Sequence, residues 1–263
     1  MYAGPWELLI LLGMIVIVGL FALGFGLWWL STRSKSALSI SDSFAPKPLG
    51  EISTEPDGPI GFGYKTTWLA IRSTDADGVL KHLPIRNAQR GNWNSGIDAA
   101  FKGHTFVSPP VDGWVLVVSH EFPELGHPPH ADQWRSLMTS LSRRFDDVQY
   151  FGTHRVSSFD AWSRYRTGIE QRAFASADSE ILVNRGPKTD AERELGYEYF
   201  DGESDDADVD GYWDRDDLCF PDEEHVMEIA SKWSLNPCTL DELDLPVGTG
   251  WIGILSPLQT DAA

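Results

Sequence analysis

Cysteine is nearly missing from this 263-residue chain, which has only Cys219 and Cys238. Two residues at that spacing make neither a metal-binding Cys pair nor a dense disulfide framework, which excludes zinc ribbons and cystine-stapled scaffolds. They are left to pair in an oxidising compartment or to stay as buried thiols. Positive charge is also scarce: 21 Lys and Arg stand against 39 Asp and Glu, a formal charge of −18. Nucleic-acid phosphates require a basic face, so no nucleic-acid partner is expected, and the field of the chain attracts cations or a basic protein instead. The short signatures of common chemistries are missing too. There is no nucleophile elbow, Walker loop or dinucleotide fingerprint. In "GFGYK", Gly61 and Gly63 have no third glycine and precede a strand, which marks a turn and not a phosphate loop.

Charge is almost absent from the first thirty residues, where Glu7 alone interrupts "PWELLILLGMIVIVGLFALGFGLWWL". Roughly 20 apolar residues cross a bilayer core, so residues 8–30 are expected to span a membrane once. Trp6, Trp28 and Trp29 stand where an interfacial aromatic belt would lie. No Lys or Arg precedes the run and no small-x-small cleavage site follows it, which argues against a removable signal peptide. Arg33 and Lys35 directly after the span place the rest of the chain in the cytoplasm by the positive-inside rule. Residues 31–60, rich in Ser, Pro, Gly and Thr, read as a flexible tether. Residues 258–263 read as a disordered tail.

Between them, residues 61–257 read as one α+β domain with a mostly antiparallel sheet packed with helices. "TTWLAIRS" is a strand, and Thr74 is the expected cap of a short helix over 75–82; another short helix covers 93–101. "HTFVSPP" and "GWVLVVS" are strands joined at Pro109, Pro110 and Gly113. In "ADQWRSLMTSLSRRF", Trp134, Leu137, Met138, Leu141 and Phe145 recur at helical spacing on one face. "VQYFGTH", "FDAWSRYRTG", "EQRAFASA" and "EILVNRG" follow as strands. Thr189 with Glu192, and Thr239 with Glu242, have the spacing of capping boxes. Helix 222–234 and a last strand, "GWIGIL", complete the pattern.

Three segments bear on function. "EIASKWSLNPCTLDEL" has a helix-turn-helix outline, but Asp241, Glu242 and Asp244 would repel DNA, so it reads as a packed helical corner. "SHEFPELGHPPH" gathers His120, Glu121, Glu124, His127 and His130, side chains able to hold zinc, while Pro123, Pro128 and Pro129 forbid the helical protease spacing. "DADVDGYWDRDD" places Asp206, Asp208, Asp210, Asp214 and Asp217 at positions 1, 3, 5, 9 and 12 of an EF-hand-type loop, with Gly211 at position 6. Position 12 is Asp where a bidentate Glu is usual, and Pro221 delays any exiting helix. The favoured reading is a solvated acidic loop, with calcium as the alternative cofactor. Tyr212 and Trp213 amid Asp206, Asp208, Asp210 and Asp214 are then the candidate anchors for a basic partner.

The phrases "FGYKTTWLAIRSTD", "FVSPPVDGWVLVVS", "RYRTGIEQRAFA", "GPKTDAERELG" and "EEHVMEIASKWSLNPCTLDEL" resemble a recurring, largely uncharacterised group of bacterial domains. The resemblance implies a bacterial origin and points toward immunity and accessory proteins encoded beside toxins; it transfers no catalytic residues. The expectation is a single-pass inner-membrane protein whose cytoplasmic domain binds and neutralises a basic toxin or effector. A metal-dependent hydrolase or a calcium-binding accessory protein is the alternative.

Overall fold

A computed structural model describes residues 46–126 and 131–257. The apolar run 8–30, most of the tether, His127, His130 and the tail 258–263 lie outside the described residues. Among the described residues, no helix is long and apolar enough to cross a membrane.

The centre of the domain is a nine-stranded sheet in the order β2-β9-β3-β4-β1-β5-β6-β7-β8. Its strands are β1 (Thr67–Arg72), β2 (Ile85–Asn92), β3 (Thr105–Val107), β4 (Trp114–Ser119), β5 (Asp147–His154), β6 (Phe159–Arg166), β7 (Ile169–Ala177), β8 (Glu180–Arg185) and β9 (Thr249–Leu255). Every pairing between them is antiparallel. Both faces of the sheet are covered, so its central strands read as continuous apolar runs and not as alternation: all of "WVLVVS" in β4 is buried.

On one face lies the long helix α3 (Ala131–Phe145), with α1 (Ala76–Lys81) beside it. Trp134, Met138, Leu141 and Phe145 pack there with Leu69, Ile71, Val117, Val148 and Tyr150. The other face carries α2 (Trp93–Ala100) and α5 (Glu223–Trp233), whose Val226, Ile229, Ala230 and Trp233 pack with Trp68, Leu116, Phe151, Trp162 and Phe174. Stacked rings fill this side, Trp68 on Phe151 at 5.1 Å and Trp162 on Phe174 at 4.4 Å between centroids. Phe106 fits only because two neighbours lack side chains. A Cβ at Gly96 would stand 2.2 Å from its ring, and one at Gly250 would stand 2.7 Å from it and 2.1 Å from the Val107 carbonyl oxygen.

Four local expectations differ from the structure. Strand β2 was not legible, because Asn87 at φ 54° and a bulge between Arg86 and Gln89 interrupt its alternation. Helix α1 is capped by Asp75, whose carboxylate accepts from Gly78 N–H, and not by Thr74. The second capping box does not form. Pro237–Glu242 is a 3-10 turn capped by Asn236, so Thr239 lies inside it, and the helix-turn-helix outline has no recognition helix. Residues 46–60, read as the end of the tether, lie on the domain: Leu49, Ile52 and Ile60 pack against the core, and the Asp57 carboxylate accepts from Trp93 N–H at 2.6 Å and Asn94 N–H at 3.1 Å.

The expected box at α4 (Asp190–Leu195) is present: Thr189 Oγ1 accepts from Glu192 N–H, and Glu192 accepts from Thr189 N–H. Gly196 then ends the helix at φ 76°.

Candidate functional site: an aromatic shelf in the acidic loop

Residues 201–218 form a closed excursion. Its ends are tied by a parallel bridge between Tyr199 and Cys219, with Phe200 N–H donating to Cys219 O at 3.0 Å and Cys219 N–H to Glu198 O at 2.9 Å. The loop docks on the β7–β8 turn through Gly202 N–H to Ser179 O, 2.9 Å, and Ile181 N–H to the Asp201 carboxylate, 3.3 Å. Internally it is a chain of turns ending in a 3-10 turn, Tyr212–Asp214, which Gly211 enters at φ 85°. A position with that φ favours glycine.

Tyr212 and Trp213 were expected to act alike, and the structure separates them. Tyr212 is buried, and its hydroxyl accepts from Asp201 N–H at 2.8 Å and faces the Asp201 carbonyl at 3.3 Å. It holds the loop together and is not a contact surface. Trp213 stays 46% exposed, steadied by its Nε1–H donating to Ala207 O at 3.0 Å. Its companion is Phe220, 48% exposed and nearly parallel to it at 6.2 Å. Both rest on buried Phe200, at 5.4 Å and 4.9 Å. Phe220 was missed in the sequence, because six residues lie between it and Trp213 and only the closed loop brings the rings together.

Around this shelf residues 201–217 carry nine acidic side chains and one basic, Arg215. The local charge is therefore strongly negative even against the acidic average of the chain. Asp206, Asp208, Asp210, Asp214 and Asp217 are all exposed. Arg215 forks onto Asp217 at 2.9 Å and 2.5 Å and holds its carboxyl below the usual range, so the twelfth position of the would-be calcium loop is engaged internally.

Among the described residues, no three His, Cys, Asp or Glu side chains stand close enough to hold a metal ion. His120, from the other candidate metal segment, stacks edge-on against Phe101 at 4.9 Å, and burial followed by repulsion from His154 pushes its pKa down. Cys219 and Cys238 are free thiols, each half-buried. We expect Asp206→Ala with Asp210→Ala to change stability by less than about 0.5 kcal/mol, as for solvated surface charges. A calcium-induced rise in melting temperature that the double variant abolishes would refute this.

Beside the shelf, Arg155, Ser158, Asp160, Pro221, Asp222 and Glu223 line a hollow of about 220 Å³. Arg155 forks onto Glu223, and the Asp222 carboxylate caps α5 by accepting from Glu224 and His225 N–H. Asp160, 6% exposed, has its pKa pushed up to about 7 by burial and then by Asp222 and Glu223.

No protein-family model matches the chain, and no curated protein or solved structure matches it.

Proposed function

We propose that the domain is a protein-binding module of the immunity type, which captures a basic segment of a toxin or effector on the Trp213–Phe220 shelf. The carrying observation is the shelf itself. Two large aromatic side chains stand half exposed side by side, Trp213 on a loop closed by hydrogen bonds within the most acidic stretch of the chain and Phe220 just past its end. Adjacent exposed aromatics cost solvation unless a partner covers them. Their faces accept Lys or Arg by cation–π contact while the carboxylates around them neutralise neighbouring charges. The remaining surplus of acid steers a cationic partner and is screened by salt. The apolar run 8–30 supports an anchor in the bacterial inner membrane, and Arg33 with Lys35 support a cytoplasmic domain.

The test is capture from host lysate by the full chain at low and high salt, in wild type and in Trp213→Ala with Phe220→Ala. A retained basic protein is expected, with binding weakened about tenfold or more by the double variant and by salt, on the scale of interface hot spots. An acidic or salt-indifferent partner, or equal retention by the variant, overturns the reading.

A further inference from the structure

A second surface gathers much of the positive charge of the chain, although Lys188, Arg193 and Lys232 there are paired with Glu198, Asp190 and Glu194. Two adjoining cavities, of about 530 Å³ and 570 Å³, share Arg164, Arg166 and Trp233. Between them they are lined by Arg72, Arg164, Arg166, Lys188, Arg193 and Lys232, six of the 21 basic residues in the chain. Chance does not favour such a gathering in a protein of charge −18.

Strand geometry produces it. Arg164 and Arg166 follow Trp162 at alternate positions of β6, and Arg72 follows Trp68 and Ala70 on β1, so these side chains share the face that carries α5. The register pairs Arg72 with Trp114, Asp147 with Arg166 and Gln149 with Arg164, which sets the arginines of β1 and β6 at one end of the sheet on either side of β5.

Asp147 organises the group. Its carboxylate, 6% exposed as a residue, accepts from Arg164 Nε at 3.1 Å and Nη2 at 2.5 Å, and from Arg166 Nε at 2.9 Å. Burial alone would raise its pKa; Arg164 and then Arg166 more than offset this and hold it ionised. Two guanidinium groups thus share one carboxylate and keep further N–H groups for another acceptor. Two of the arginines lie against indole faces, Arg72 over Trp114 at 5.2 Å and Arg164 over Trp233 at 5.5 Å. Among the described residues no carboxylate or carbonyl pairs with Arg72.

We propose that this cleft binds a small phosphorylated ligand, with Arg72, Arg164 and Arg166 as its oxyanion contacts. Three guanidinium charges against buried Asp147 and exposed Asp146 leave a positive excess for a phosphoryl group. The planar donor fork matches phosphate oxygens two at a time. The volumes fall in the range of small-ligand sites. Stacking on Trp114 and Trp233 and anchoring on Asp147 fix the guanidinium groups before the ligand arrives, which limits the entropy lost on binding. The site lies at the C-terminal end of α5, and the shelf flanks its N-terminal end, so the two are separable by mutation.

The probe is pyrophosphate, titrated calorimetrically at low ionic strength into the full chain in a nonionic detergent. One molecule should bind per chain, with affinity lowered about tenfold or more by Arg72→Gln and by Arg166→Gln, the scale of a lost charge-assisted hydrogen bond. Both side chains are solvent-accessible, and unchanged circular dichroism would show that the variants fold. Arg90→Gln, on β2 at the far side of the sheet, is the control and should bind as wild type. Repeating the titration in phosphatidylcholine nanodiscs with and without phosphatidylglycerol identifies the source of the phosphoryl group. Competition by the anionic lipid assigns it to a headgroup, and its absence to a soluble ligand. No binding of pyrophosphate by wild type, or binding that both variants retain, overturns the proposal.

Discussion

Arg172→Ala is expected to destabilise the domain by about 3–5 kcal/mol, the usual consequence of removing one partner of a buried ion pair. For a domain of this size that lowers the melting temperature by about 10 °C. Arg172 is 1% exposed. Its Nε–H donates to Glu192 at 2.7 Å, and Nη1 donates to Asn184 Oδ1 at 2.8 Å and to the Arg185 carbonyl at 3.1 Å. The same Glu192 oxygen accepts from Trp162 Nε1 at 3.1 Å, and the other oxygen accepts from Thr189 N–H at 2.8 Å. One guanidinium therefore joins β7, the end of β8 and the start of α4 through a carboxylate that also caps the helix. Without it, that carboxylate and the carbonyls of the 184–186 turn stay buried with fewer donors than acceptors. Arg172→Met combined with Glu192→Gln is expected to be less harmful than the sum of the single changes, because the double variant buries no net charge. Urea denaturation of wild type, Arg172→Ala, the two single changes and the double variant checks this; a loss under about 1 kcal/mol for Arg172→Ala would mean that the turn is held by other contacts.

Asp160→Asn is expected to act in the opposite direction and only above acidic pH. In the folded domain the pKa of Asp160 is raised from 3.8 to about 7, by burial first and then by Asp222 and Glu223. Between those values the folded protein keeps a proton that the unfolded chain has released. Stability from this residue is therefore present below pH 4 and is lost as pH rises through about 7. Above pH 7 the domain carries a buried carboxylate beside two other acids. Asparagine is uncharged throughout, so the variant should exceed wild type by about 2–4 kcal/mol at pH 8, and the gap should close as pH falls toward 4. Melting curves across that range decide the matter. A pH-independent gap, or a variant less stable at pH 8, would show that the carboxylate is solvated or paired in the folded state.

Some of this was legible in the residues themselves. The helix Ala131–Phe145 follows from five apolar side chains at helical spacing, and the Thr189–Glu192 box from two residues three apart. Strands β5 to β8 follow from apolar runs parted by short turns at Ser157–Ser158, Thr167–Gly168 and Asp178–Ser179. Each of these depends on interactions within one helical turn or one strand, so the local sequence suffices to specify it. The alternations of Trp162, Arg164 and Arg166 and of Trp68, Ala70 and Arg72 were also present in the sequence as local signs that charge is turned toward the face bearing α5.

The rest depended on partners distant in the chain. Strand β2 is an edge strand whose irregular backbone is held by β9, some 160 residues later, and β9 itself lies inside the sheet between β2 and β3 although it comes last. Tyr212 and Trp213 are adjacent in sequence and both aromatic; what buries one and exposes the other is the docking of the loop on Asp201 and Phe200. The arginine cleft joins β1 to β6 across β5, and its parts are unremarkable until the register aligns them. The sequence by itself determined most of the elements, the Thr189–Glu192 cap and the charge of the chain, because those arise from neighbours along the backbone. Only the tertiary structure decided strand order, which acids are buried and which aromatic rings meet, because those are set by long-range packing that no short stretch contains.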